Sequence, residues 1–196
     1  MDHRTRLGCL AACLVTFATG AAPAVGAQPS DPAGLVPPPP PGSTCQQVGS
    51  GTFCRTVFDA SVENEPAFEL PCGLLYETAT DVRRGLRWYD ESGELVRRAV
   101  YQNASGSWSL SPDGGGPTVT WHAHTNWQNT DIDPLAPDDT WPTAYHGMMF
   151  RVVGPDGAIF QITGLDASDG TRHGAGDWAD FDSAQTQALL CDALVD

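Results

Sequence analysis

The chain of 196 residues contains no lysine, and ten arginines supply all of its basic side chains against 24 acids. A net charge of −14 argues against nucleic acid or an anionic membrane surface as a partner. The missing lysine removes the usual Schiff-base former and amine nucleophile. There is no Gly-x-Ser-x-Gly elbow and no Cys-x-x-Cys pair, so neither that hydrolase geometry nor dithiol redox chemistry has its motif. After residue 19 no stretch approaches the roughly 20 apolar residues of a membrane-spanning helix. No cofactor is expected from these features, and no single motif carries a chemistry.

What is present begins with an export pattern. Arg4 and Arg6 form a basic head, 7–19 is apolar, and Val25 and Ala27 are small residues before a cut, so residues 1–27 read as a signal peptide. Leu10-Ala11-Ala12-Cys13 offers a competing lipoprotein box. Cleavage there would leave almost no apolar run, so release into the extracellular space is the expectation. The mature chain then carries 23 acids and eight arginines, five of which (Arg83, Arg84, Arg87, Arg97 and Arg98) lie close together and are expected to pair with carboxylates.

Cys9 and Cys13 leave with the signal, and Cys45, Cys54, Cys72 and Cys191 remain, which in an exported chain predicts two disulfides. Spacing alone does not choose among three connectivities. The expected pairing is Cys45 with Cys54, a local loop, and Cys72 with Cys191, which ties the first strands to the C-terminal element. By the chain-entropy model the long loop contributes about 4 to 5 kcal/mol.

Residues 28–43 are Pro-rich, with Pro37 to Pro41 unbroken, and read as an extended linker that packs no core. Residues 44–196 suffice for one domain. Its strand signals come in hairpins. In 84–102 the turn Asp90-Glu91-Ser92-Gly93 has type I residues and a left-handed glycine, which sets Asp90 opposite Glu94 and Trp88 opposite Val96. Leu86, Trp88, Val96 and Val100 then form the expected core face, and Tyr89 and Leu95 the other. A break is expected at Glu63-Asn64-Glu65-Pro66, a turn at 112–117, and a hairpin through Gly154-Pro155-Asp156-Gly157 with Val152 opposite Phe160, Phe150 opposite Ile162, and Met148 on the same apolar face. A helix capped by Asp182 is expected to run to about Val195, with Ala184, Ala188, Cys191 and Val195 on one face. The fold class is all-β: an antiparallel meander closed into a barrel or folded into a two-sheet sandwich, with one C-terminal helix.

This layout, with Phe68-Glu69-Leu70-Pro71-Cys72-Gly73 near its start and Leu189-Leu190-Cys191-Asp192-Ala193-Leu194 at its end, resembles a group of uncharacterised secreted all-β proteins of actinobacteria. The resemblance covers most of 66–194 and implies the Cys72–Cys191 bond. It implies no activity. Residues 126–142 are longer than that pattern.

Three constellations offer chemistry. His122 and His124 alternate on one strand face and His146 begins a later strand, similar to the histidines of a cupin metal site, but the cupin glutamate, glycines and proline are missing. Acids at 131, 133, 138 and 139, and at 166, 169, 177, 180 and 182, are candidate calcium ligands without the spacing of a twelve-residue loop. Trp127 and Trp141 with Asn126 and Asn129 offer a stacking platform with amides for a small ligand such as a sugar. The expected function is a secreted, disulfide-stabilised, non-enzymatic envelope or extracellular binding module, its partner a cell-envelope component or a small ligand. The rivals are a metal-dependent cupin-like barrel enzyme and a protein-contact domain without a small ligand. The oligomeric state is not fixed by the sequence.

Overall fold

The computed structural model describes residues 30–137 and 140–195. The expected signal peptide with Cys13, and Asp138 and Asp139, lie outside the described residues. Eight strands follow one another, each antiparallel to the last: β1 (Thr44–Val48), β2 (Gly51–Leu70), β3 (Gly73–Tyr89), β4 (Leu95–Ser109), β5 (Thr118–Asn129), β6 (Ala144–Gly154), β7 (Gly157–Ala167) and β8 (Arg172–Ala175). Two helices end the chain, α1 (Trp178–Phe181) and α2 (Ala184–Val195).

The meander is as expected, but its closure is not. The strands make one sheet in the order β1 to β8, neither closed into a barrel nor divided into a sandwich. The four-residue β8 pairs only with Thr163–Asp166 of β7. The chain then turns into helices, and α2 instead of a closing strand covers the apolar end of the sheet. Leu190 and Leu194 pack there against Leu70, Leu75, Val119, Val152, Phe160 and Ile162. Both disulfides form, Cys45–Cys54 between β1 and β2 and Cys72–Cys191 from the β2–β3 turn to α2. No helix among the described residues is long and apolar enough to cross a membrane.

The β3–β4 turn has the expected geometry: Gly93 is left-handed at φ 86° and its N–H donates to the Asp90 carbonyl at 3.1 Å. Asp90 Oδ1 accepts from Ser92 N–H, Ser92 Oγ and Glu94 N–H, and the Ser92 hydroxyl contributes most to holding this carboxyl below its ordinary range. Past the turn a bulge sets Tyr89 opposite Leu95 and Trp88 opposite Arg97, leaving Val96 as the extra residue. The expected core face is therefore overturned at Val96 but holds at Val100, which is buried. Tyr89 and Leu95 are buried at 3% and 1% exposure while Val96 is exposed, and the one inserted residue carries Val100 onto the face of Tyr89 and Leu95.

The cause lies in the Pro-rich stretch, which docks here and is not a free spacer at 35–38. Leu35 is buried with Tyr89, Leu95, Trp141 and Cys54. Val36 bridges Glu94, the Leu95 N–H donates to its carbonyl, and the Pro37 and Pro38 carbonyls accept from the Tyr89 hydroxyl and the Arg87 guanidinium.

Elsewhere the expected break at 63–66 is a pair of register shifts inside a continuous β2, with Asn64 at φ 52°. Val152 faces Phe160 and Phe150 faces Ile162, as expected. A bulge between Met148 and Phe150 puts Met149, not Met148, in the core. The helix is also shifted. Ser183, whose Oγ accepts from Thr186 N–H, starts α2 in place of Asp182, and its buried residues are Thr186, Leu190 and Leu194 while Val195 is exposed.

Candidate functional site

Residues opposed across an antiparallel ladder share a face, which assigns one side of the sheet. On β3 that side carries Leu75, Glu77, Ala79, Asp81 and Arg83, on β4 Trp108, Gly106, Ala104 and Gln102, and on β5 Val119, Trp121, Ala123, Thr125 and Trp127. One end is filled by α2 and the other by the Leu35, Tyr89, Leu95 and Trp141 cluster. Between them the side chains shrink: Ala104 faces Ala123, with Gly106 beside them. Large rings flank small ones, and space remains.

That space is a cavity of about 740 Å³, within the range of small-molecule sites. Trp108, Trp121, Trp127, Tyr145, Phe150 and Trp178 supply its rings. Trp108 and Trp121 centroids are 6.1 Å apart, Trp121 and Phe150 5.6 Å, and Phe150 and Trp178 5.6 Å, so four rings form a continuous tilted wall. Trp127 and Tyr145 pair at 6.0 Å. Trp178 enters from α1, whose N-cap Asp177 makes a capping box with Asp180.

The charged lining is mostly acidic: Glu77, Asp81 and Asp166 against Arg83. Asp81 Oδ2 accepts from Arg83 at 2.6 Å and from Gln102 at 2.9 Å. Asp166 pairs with Arg172 at 3.1 Å, and Arg172 also reaches Asp177. These contacts raise the Arg172 pKa, Asp166 contributing most. Glu77 Oε1 accepts the Trp108 indole N–H at 2.8 Å. Asp81 Oδ1 and Trp121 Nε1 are buried polar atoms with no hydrogen-bond partner among the described residues.

Of the residues singled out in the sequence for chemistry, Trp127 lines this cavity, as do Asp166 from the candidate calcium ligands and Arg83 from the arginine cluster. Asn126 faces the other side of the sheet. Asn129 is buried and donates to the Pro142 carbonyl at 2.9 Å and to Thr143 Oγ1 at 2.8 Å, a strut for the loop after β5. Trp141 is buried in the second cluster, its Nε1 donating to the Asp133 carbonyl. His122, His124 and His146 lie on the outer face, with His124 opposite Met148 and His146 opposite Asn126. Among the described residues no three His, Cys, Asp or Glu side chains are grouped to hold a metal ion. Asp133 and Asp169 accept backbone N–H groups two residues on, as loop acids do in tight turns. Of the arginines expected to pair with carboxylates, Arg83 does so, whereas Arg97 donates to Gln128 and lies 4.7 Å over Trp88.

Reading residues singly missed Glu77, Asp81, Gln102, Trp108, Trp121 and Trp178. The signal was the alternation Trp121-Ala123-Thr125-Trp127, two large rings with small residues between them on one strand face. The chain matches no family model, no curated protein and no solved structure.

Proposed function

We propose that the protein is an exported, disulfide-stapled binding module whose ligand is a small organic molecule held in the aromatic cavity. The observation that carries this is the cavity itself: it lies over Ala104 and Ala123 at the margin of the cluster beneath α2, where small side chains leave room and rings stand around it. A buried sheet face normally packs to organic-crystal density. Leaving such a volume forgoes packing, which a ligand restores. Its two disulfides suit an oxidising compartment.

The test is a titration of the secreted protein with Nile red, a neutral apolar dye, alongside Ala104→Leu, which puts a side chain into the gap. The unmodified protein is expected to bind the dye with enhanced, saturable emission, and the variant to lose binding about tenfold or more while keeping its far-UV spectrum. Equal binding by both proteins, or none by either, would overturn the assignment.

A further inference from the structure

We infer that the ligand class is an organic cation, an ammonium group carrying a flat apolar body; this rests on the cavity being a binding site. Three observations converge on it. First, the lining holds three carboxylates against one guanidinium. Second, two of the three are already matched: Asp81 by Arg83 and Gln102, and Asp166 by Arg172. Glu77 forms no ion pair among the described residues, and its hydrogen bond comes from a neutral donor, the Trp108 indole. Third, that indole belongs to the wall of rings formed with Trp121, Phe150 and Trp178.

A part-buried carboxylate without a counter-ion favours a cation, and the negative faces of aromatic rings attract the same charge. The two effects act at one place, because Glu77 and Trp108 are direct partners across the β3–β4 ladder. Donating its N–H to a carboxylate also leaves the Trp108 ring richer in electron density, which strengthens its attraction for a cation. An anionic ligand would meet Glu77 directly. A neutral one would leave it unmatched. The strongly acidic chain adds a field of the same sign that steers cations inward.

The experiment uses an isosteric pair, phenyltrimethylammonium and tert-butylbenzene, titrated into the secreted protein and into Glu77→Gln with tryptophan emission as readout. Methyl β-glucoside serves as a neutral polar probe. Glutamine keeps an acceptor for the Trp108 N–H and removes only the charge. The expected result is that the cation binds about tenfold or more tightly than its neutral isostere, and that Glu77→Gln abolishes this difference while leaving tert-butylbenzene affinity unchanged. Equal binding of the isosteric pair, or tighter binding of the glucoside, would overturn the cation assignment and leave the cavity as a site for neutral ligands. Failure of all three probes would overturn it as well, and the Nile red titration would then decide separately whether the cavity binds anything.

Discussion

At the scale of single residues, the cavity depends on side chains that are absent as much as on those present. Gly106 is the clearest case. A Cβ built there falls 2.7 Å from the Thr78 carbonyl oxygen, 2.8 Å from the Ala79 Cβ and 2.8 Å from Trp121 Nε1. Two of these contacts belong to the neighbouring strand and cannot retreat without parting the β3–β4 ladder, while the third is the indole lying across the glycine. Gly106→Ala is therefore expected to lower stability by about 1 to 3 kcal/mol, as overpacking of a filled site does, and to weaken Nile red binding by tilting Trp121. Urea unfolding followed by tryptophan emission measures the first effect, and a midpoint equal to that of the unmodified protein would show that the indole does not rest there. None of this is legible at Gly106 in the sequence, where a glycine between two serines looks like loop material. Trp127, which lines the cavity, stood out in the sequence because aromatic and amide residues cluster around it. Asn126 next to it points to the opposite side because adjacency in a strand does not mean a shared face, whereas Asn129, two residues on, shares the face of Trp127 but is spent on Pro142 and Thr143. Glu77 could not be read at all, since its meaning comes from having Trp108 opposite and no ion pair among the described residues.

At the scale of elements, the hairpins and their turns were readable because turn chemistry is local. Asp90-Glu91-Ser92-Gly93 specifies its own geometry through Gly93 and the three donors to Asp90. The register beyond the turn was not local. It depends on Leu35 and Val36, more than fifty residues before the bulge in the chain, and no pattern inside the hairpin announces the extra residue at Val96. The helix is a similar case: its presence was visible, but its buried stripe is set by the sheet end it covers. What holds it there is partly covalent. The Cys72–Cys191 bond spans 119 residues and the Cys45–Cys54 bond only nine. In the chain-entropy model the two are worth roughly 5 and roughly 3 kcal/mol respectively. The paired replacement Cys72→Ser and Cys191→Ser is thus expected to lower the urea midpoint more than Cys45→Ser with Cys54→Ser does. It should also raise amide exchange selectively in α2 and in the strands under Leu190 and Leu194. If the short-loop replacement proved the more damaging, the docked Pro-rich segment beside Cys54, and not the helix, would be the chief constraint on the fold.

At the scale of the whole molecule, an open sheet has to protect its edges, and this one does so unevenly. β8 is short and its Arg172 is tied down by Asp166 and Asp177. β1 covers β2 only over Gly51–Arg55, which leaves Thr56–Leu70 without a partner strand on that side among the described residues. Such a long edge, with Val57 and Phe58 about half exposed on it, is a template for pairing with another chain. The protective features are Asp59, Glu63, Glu65, Pro66 and the two register shifts, which charge, interrupt and twist the strand. Net negative charge adds repulsion between copies. If this protection matters, the double variant Asp59→Val with Glu63→Val should associate. Its weight-average mass by size-exclusion light scattering is expected to exceed that of the unmodified protein and to climb with concentration. Raising ionic strength should move the unmodified protein in the same direction by a smaller amount, because salt screens Asp59 and Glu63 but leaves Pro66 and the bulges in place. Equal masses for the two proteins at every concentration would show that the bulges and proline alone close this edge, and that the acidic surface serves the ligand site instead of the sheet.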